Sequence, residues 1–193
     1  MTRDPSNGWN GVAAKFIKHR SDIGRDVIAH WISTLPRGAS VFDIGCGFGD
    51  PVTRLLRENG MAVYAIEPSK NLVAEFQRRL PGIPIRCETI EESSFFNRTF
   101  DAICTIGLLF LLPIESQIQL FKKVSSALDL GGQFLFSAPA EICEWDDLLT
   151  SRRSVSLGLN AYTALGSVNG LELLKTKLDA GGNHYYFMQK VSA

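Results

Sequence analysis

The sequence of 193 residues has no long hydrophobic run and no excess of charge of one sign. Its longest apolar stretch, residues 107–114, is far too short to span a bilayer. The first ten residues are polar and lack the apolar core of a secretion signal. Lysine plus arginine equals aspartate plus glutamate, 20 against 20, which gives no electrostatic reason to expect a nucleic acid or a membrane as partner. We therefore expect a cytoplasmic protein.

Cysteine and histidine are also scarce, with four and three residues respectively. Cys46, Cys87, Cys104 and Cys143 are widely spaced, form no CxxC pair and have no histidine nearby. This spacing predicts reduced, mostly buried thiols in a reducing compartment, and it predicts no metal site.

The sequence does have a regular alternation of short β-branched or aromatic runs with amphipathic stretches. Ser21, Asp50-Pro51, Ser69 and Pro113 are candidate helix starts, and Gly131-Gly132 is a candidate helix end. The runs that predict strands lie at residues 40–44, 62–67, 83–88, 100–106 and 132–138.

Alternating strands and helices predict an α/β fold, a doubly wound Rossmann-like sheet with helices on both faces. Two further strands, residues 171–178 and 183–191, are separated by the turn signal Asp-Ala-Gly-Gly. We therefore expect seven strands, five of them parallel and followed by an antiparallel C-terminal hairpin.

Three glycines at alternate positions follow the first strand: Gly45, Gly47 and Gly49. Glycines between a strand and a helix allow positive φ and let a ligand lie against bare backbone. A dinucleotide site of the GxGxxG type would need its third glycine where Asp50 stands. Asp50 and Asp43 would repel a pyrophosphate, so a cationic or zwitterionic ligand suits this loop better.

Residues 43–49 (DIGCGFG) resemble the first motif of the class I S-adenosylmethionine-dependent methyltransferases. Three later stretches resemble further motifs of that family in the same order. Residues 65–69 (AIEPS) are similar to its acidic second-strand motif, and residues 100–112 to its fourth-strand motif. Residues 128–139 are similar to its fifth-strand entry, with Leu130 where the family usually has proline.

The resemblance implies S-adenosylmethionine as cofactor. It places Glu67 on the ribose hydroxyls, which also fits an acid about 20 residues beyond the loop, and Glu88 on the adenine amino group. Asp43 would bond the amides of the glycine loop or the amino group of the cofactor, or it is a structural brace of the loop. The cofactor-binding residues implied are Arg20, Asp43, Gly45, Cys46, Gly47, Gly49, Glu67, Pro68, Glu88, Thr89, Ile90, Thr105 and Ile106.

We expect one methyltransferase domain over residues 1–193. Its parts would be an N-terminal lid (1–20), a cofactor-binding core (21–139), a substrate-side loop (140–157) and a C-terminal helix with a hairpin (158–193). In the lid, Trp9 and Phe16 would cover apolar surface and Arg20 would pair with the cofactor carboxylate, or the segment is an ordinary solvated helix.

The expected reaction is methyl transfer to a small-molecule acceptor by in-line displacement. No catalytic residue can be named, because Phe110 and Leu111 stand where many small-molecule members carry a histidine; the stretch from Leu108 to Leu111 reads as core. The asparagine-proline-proline-tyrosine signature of DNA and glutamine methylases is absent as well. Two alternatives stay open: a non-catalytic S-adenosylmethionine-binding protein and an NAD-linked oxidoreductase. The oligomeric state does not follow from the sequence.

Overall fold

The computed structural model describes residues 4–192 as a central sheet flanked by helices, with a small separate hairpin. No helix in that range is long and apolar enough to cross a membrane. The elements in chain order are α1 (Trp9–His19), α2 (Arg25–Ile32), β1 (Ser40–Ile44), α3 (Val52–Glu58), β2 (Ala62–Ile66), α4 (Lys70–Arg79), β3 (Ile85–Arg86), β4 (Phe100–Thr105), α5 (Ile114–Ala127), β5 (Leu128–Ser137), β6 (Ile142–Asp146), β7 (Arg153–Leu157), α6 (Gly158–Val168), β8 (Leu171–Leu178) and β9 (His184–Lys190).

The main sheet has seven strands in the order β3-β2-β1-β4-β5-β9-β8. Strands β1 to β5 are parallel, and β9 pairs antiparallel with both β5 and β8. The predicted fold class is therefore confirmed, including the antiparallel C-terminal hairpin. The strand order reverses between β1 and β4, and in doubly wound sheets a ligand cleft opens at the carboxyl ends of the strands at that point.

Side chains alternate between the two faces of the sheet and build a core on each. Val41 lies with the buried residues of α2 and α3, whereas Phe42 and Ile44 lie with those of α5 and α6. Aromatic rings fill the second core, where Phe136 stacks on Tyr186 at 4.4 Å between ring centroids. Burial of apolar side chains on both faces holds the sheet between its two layers of helices.

Two predicted helix starts are wrong. Helix α2 begins at Arg25 rather than after Ser21, because Gly24 (φ 88°) turns the chain against the hydroxyl of Tyr185. Asp50 does not cap α3, which begins at Val52 without a side-chain cap. The Asp50 carboxylate instead forms ion pairs with Arg54 and Arg79.

The other two helix starts are confirmed, and one helix end is wrong. Ser69 caps α4, with its hydroxyl accepting a hydrogen bond from the amide of Leu72 at 3.3 Å, and α5 begins directly after Pro113. Gly131-Gly132 does not end α5, which stops at Ala127. Both glycines lie inside β5, because Leu128 already pairs with the first residue of β4.

The segment 140–157 was expected as a loop but contains the antiparallel pair β6 and β7. Trp145 on β6 contacts the ring of Phe110 at 5.2 Å, so the hairpin packs beside the turn that follows β4. The third strand, predicted over residues 83–88, is shorter in the structure and spans only Ile85–Arg86. All four cysteines are free thiols; two are buried, Cys143 is half-buried and Cys87 is exposed.

Candidate functional site

The glycine loop between β1 and α3 requires the absence of side chains. Gly45, Gly47 and Gly49 have φ of 70°, 58° and 88°, where residues with a Cβ are strained. A Cβ on Gly47 would lie 3.3 Å from the ring of Phe16, and one on Gly45 would lie 2.6 Å from Leu108. The amides of Gly45 and Cys46 both donate to the carbonyl of Ile66, which ties the loop to the end of β2.

Glu67 follows β2 and brackets the loop from the other side. Its carboxylate accepts hydrogen bonds from the amides of Gly47 at 3.1 Å and Ser69 at 2.9 Å. The side chain is almost completely buried, and burial raises the pKa of Glu67 to about 7 although both amides lower it. Near neutral pH this carboxyl therefore lies close to the midpoint of its titration.

Asp43 points from β1 toward α3 rather than into the loop. Its carboxylate accepts a hydrogen bond from the hydroxyl of Thr53 at 2.6 Å and a weaker one from the thiol of Cys104 at 3.8 Å. The expected bond to the loop amides is therefore absent. Burial raises the pKa of Asp43 to about 6, with the hydrogen bonds from Thr53 and Cys104 and the charge of Arg20 opposing that shift.

A cleft of about 720 Å³ opens above the loop and the ends of β2 and β4. Its volume lies within the range of small-molecule and cofactor sites. Arg20 is the one basic side chain among the described residues that line it. Seven carboxyl side chains line the same cleft: Asp4, Asp43, Asp50, Glu67, Glu88, Glu91 and Glu92. This excess of acids favours a ligand that carries positive charge.

Helix α1 covers the cleft from one side. The ring of Phe16 makes edge contacts with Trp9 at 5.2 Å and with Phe48 at 5.7 Å. Arg20, directly after α1, donates to the carbonyl of Asp50 at 3.4 Å, and burial lowers the pKa of its guanidinium. Within residues 4–192 no carboxylate lies within 4.0 Å of that guanidinium. Arg20 thus presents a largely desolvated charge to the cleft.

The opposite wall comes from the ends of β3 and β4. The Oε1 atom of Glu88 is buried and has no hydrogen-bond partner among the described residues. The amide and hydroxyl of Thr89 both donate to Glu92 at 3.2 Å. Gly107 has φ of 75° and open space where a Cβ would lie, and its amide donates to the hydroxyl of Ser137. The wall therefore offers one unpaired acceptor and one uncrowded stretch of backbone.

Eleven of the thirteen sequence-predicted site residues line this cleft. Gly49 does not, because its α-carbon faces Phe76 and Leu80 in the core. Thr105 does not either, since it is fully buried beneath the end of β4. Both glycine and threonine were placed by their position in a motif, which does not report the direction in which a residue points.

Sequence reasoning missed two stretches of the cleft wall. Residues 4–7 reach it from before α1, and Leu108, Leu111 and Leu112 reach it from the turn after β4. The sequence pattern of the leucines indicates core, because an apolar run that lines a cleft cannot be told from one that is buried in the core. For the first stretch, the spacing of Asp4 and Ser6 before α1 was an available signal of an ordered turn, since Ser6 donates to Asp4 and accepts from the amide of Asn10.

A protein-family model described as "Methyltransferase domain" matches residues 41–132, which include the glycine loop, Glu67, Glu88 and Gly107. The match covers a little under half of the chain and supports the resemblance to the class I S-adenosylmethionine-dependent methyltransferase family. S-adenosylmethionine is the cofactor of this family, and its sulfonium and amino groups suit a cleft lined by carboxylates.

Among curated proteins, this methyltransferase is similar to tRNA U34 carboxymethyltransferases. The protein from Photobacterium profundum is 33% identical over 112 residues, covering 52% of the present chain and 33% of the relative. The protein from Vibrio cholerae is 29% identical over 122 residues, covering 58% and 36%. The chain thus matches about a third of the length of these relatives.

Among solved structures, the CcbJ methyltransferase from Streptomyces caelestis superimposes with a TM-score of 0.79 at 16% identity. The superposition covers 98% of the present chain and 100% of the CcbJ chain. Magnesium protoporphyrin IX methyltransferase from Synechocystis, crystallised with S-adenosylhomocysteine, superimposes with a TM-score of 0.74 at 16% identity, covering 97% of each chain. At these identities the likeness concerns the fold alone.

Proposed function

We propose that the protein transfers the methyl group of S-adenosylmethionine to a small-molecule acceptor inside this cleft. The observation that carries the proposal is the combination, in one cleft, of seven carboxyl side chains with a single arginine that has no ion-pair partner within the described residues. S-adenosylmethionine carries a sulfonium, an ammonium and one carboxylate. A dinucleotide carries a pyrophosphate, which these acids would repel.

Three residues have chemistry that fits the cofactor. The unpaired Oε1 of Glu88 would accept a hydrogen bond from the adenine amino group. Glu67 would accept bonds from the ribose hydroxyls with the lone pairs that Gly47 and Ser69 leave free. Arg20 would pair with the methionyl carboxylate, which removes the cost of keeping a buried charge without a partner.

In this proposal the four segments of the chain have different roles. Residues 1–20 would cap the cofactor, residues 21–139 would bind it, residues 140–157 would border the acceptor and residues 158–193 would complete the sheet. Residues 1–3 and 193 of these segments lie outside the described part of the chain.

The bound cofactor supplies an electrophilic methyl group and a thioether leaving group. The protein must therefore hold the acceptor atom in line with that methyl and exclude water, and such positioning can lower a barrier by roughly 7–11 kcal/mol. Gly107 leaves room for this approach at the end of β4. No histidine or lysine lines the described cleft. We favour an amine, thiol or carboxylate acceptor, which needs less help from a general base than an alcohol does.

A tRNA acceptor is the second candidate, because the curated relatives are named tRNA U34 carboxymethyltransferases. We favour methyl over carboxymethyl as the transferred group. A carboxymethyl group would bring a second carboxylate into a cleft where the one arginine is already assigned. Glu88, Glu91 and Glu92, which line one stretch of the cleft, would also repel a phosphate backbone.

The decisive test is titration calorimetry with S-adenosylhomocysteine and, separately, with NAD. We expect micromolar binding of the first and none of the second; the reverse result would contradict the proposal in favour of an oxidoreductase. Transfer is then tested with methyl-labelled S-adenosylmethionine and cell extract. Label in small molecules supports the proposal, ribonuclease-sensitive label indicates tRNA, and tight binding without transfer indicates a cofactor-binding protein without catalysis.

A further inference from the structure

Asn10 on α1 caps a different helix, α4. Its side-chain oxygen accepts hydrogen bonds from the amide of Asn71 at 3.0 Å and from the hydroxyl of Ser69 at 3.1 Å. The Asn71 side chain returns a third bond to the backbone carbonyl of Asn10 at 2.9 Å. Helix N-termini expose amides without intrahelical partners, so an acceptor placed there stabilises the contact between the two helices.

The bond from Asn10 leads directly to the cofactor side of the cleft. Ser69 is fully buried, and its own amide donates to Glu67, whose other carboxylate oxygen accepts from Gly47. Gly47 in turn lies against Phe16, one and a half turns after Asn10 on α1. A continuous path of hydrogen bonds and one aromatic contact therefore runs from α1 through Ser69 and Glu67 to the glycine loop and back to α1.

The position of Asn10 is itself fixed from the N-terminal side. Its amide donates to the hydroxyl of Ser6 at 2.9 Å, and that hydroxyl donates to Asp4 at 2.7 Å. Asp4 and Ser6 therefore fix the first turn of α1, from which Asn10 contacts α4. Because Asp4 and Ser6 also line the cleft, the cap and the cleft wall are the same piece of chain.

We propose that Asn10 is a positioning residue for the cofactor: it holds α1 closed over the cleft and keeps Ser69 and Glu67 in the arrangement that receives the ribose. This inference rests on the function proposed above, since it assumes that Glu67 contacts the cofactor. Asn10 does not itself line the cleft. It acts through α1, which carries Phe16 and leads to Arg20, and through Ser69.

The role requires an oxygen acceptor at position 10, which gives a sharp pair of variants. Asn10→Ala removes the acceptor for Ser69 and Asn71, whereas Asn10→Asp keeps an oxygen there and adds a negative charge that suits a helix N-terminus. Lys15→Ala, on the exposed face of the same helix, is the matched control. For the loss of two bonds at a helix terminus we expect about a tenfold effect on affinity.

The experiment measures the Kd of the full chain for S-adenosylhomocysteine by calorimetry, together with KM and kcat once an acceptor is known, and the melting temperature of each variant. We expect Asn10→Ala to raise the Kd for S-adenosylhomocysteine about tenfold. The KM for S-adenosylmethionine should rise by a larger factor than kcat falls. Asn10→Asp should lie within about threefold of wild type and Lys15→Ala within about twofold.

Each result distinguishes the inference from the function on which it rests. A wild-type protein that does not bind S-adenosylhomocysteine contradicts the proposed function itself. Wild-type binding with an unchanged Kd for Asn10→Ala, even if its melting temperature falls, shows that Asn10 is only structural. An Asn10→Asp variant as weak as Asn10→Ala would also overturn the role, because the acceptor oxygen would then be irrelevant.

Discussion

The glycine loop and the β6–β7 hairpin both lie near the carboxyl edge of the sheet, but the loop is buried whereas much of the hairpin is exposed. The loop is fixed by buried hydrogen bonds, with Glu67 bound to two backbone amides and the amides of Gly45 and Cys46 bound to Ile66. The hairpin is attached by the contact of Trp145 with Phe110 and by hydrogen bonds from the Gln117 side chain to the carbonyl of Val155 and from the amide of Leu157 to the hydroxyl of Tyr162. Its tip carries Leu148, which is 94% exposed.

Because of this difference, we expect the loop and the hairpin to have different roles. A loop held by buried polar bonds and positive φ leaves almost no freedom in side chain or backbone, which suits a ligand that does not vary. The exposed part of the hairpin tolerates change more readily, and the proposed position of residues 140–157 beside the acceptor would make use of that tolerance. Substitutions in the glycine loop and in the hairpin test this difference.

The largest effect is expected from Gly47→Val. A β-branched residue at φ 58° is strained, and its Cβ would press on Phe16 at 3.3 Å. We expect at least about a 100-fold loss of affinity for S-adenosylhomocysteine in calorimetry, with the circular dichroism spectrum unchanged. Gly60→Val is the matched control, since Gly60 also has φ of 75° but open space around it. Normal affinity of Gly47→Val would end the assignment of the loop.

The next effect concerns Glu67, whose pKa is raised to about 7 from an ordinary 4.5. Between pH 4.5 and about 7 the carboxyl of Glu67 is protonated in the folded protein but ionised in the unfolded chain. The free energy of unfolding therefore falls as the pH rises through this range. At about 1.4 kcal/mol for each pKa unit, the loss is on the order of 3 kcal/mol. Glu67→Gln should remove this slope.

Urea unfolding of the ligand-free protein at a series of pH values measures the Glu67 effect. Asp43 contributes a loss of the same sign and of similar size over a lower pH range, because its pKa is raised from 3.8 to about 6. Asp43 stays in place in both proteins, so only the difference between wild type and Glu67→Gln is attributed to Glu67. Parallel curves for the two proteins would mean that folding does not raise the pKa of Glu67.

The smallest effect on cofactor binding is expected on the hairpin. Trp145→Ala removes the contact with Phe110, worth about 1 kcal/mol, and should lower turnover while leaving the Kd for S-adenosylhomocysteine within about twofold of wild type. Leu148→Ala is the control for a residue at the same hairpin that touches little. A large loss of cofactor affinity in Trp145→Ala would abolish the distinction between the two regions.

Much of the fold could be read from local patterns, while errors clustered where tertiary contacts overrule them. Alternating apolar runs predicted the strands because burial on both faces demands them. Ser21 and Asp50 both look like helix caps, yet Gly24 packs against Tyr185 and the Asp50 carboxylate pairs with two arginines instead. The β6–β7 hairpin escaped prediction because one face of each strand is exposed and polar residues interrupt any apolar run.

The sequence by itself determined the sheet, its switch point, the position of the glycine loop and the acid that follows β2, because strand periodicity and glycine spacing are local properties. Only the tertiary structure decided where side chains point. It turned Asp43 toward Thr53, faced Gly49 into the core and brought Asn10 onto α4, 59 residues from its partner Ser69. Such contacts depend on how distant elements pack, and no local pattern in the chain encodes that packing.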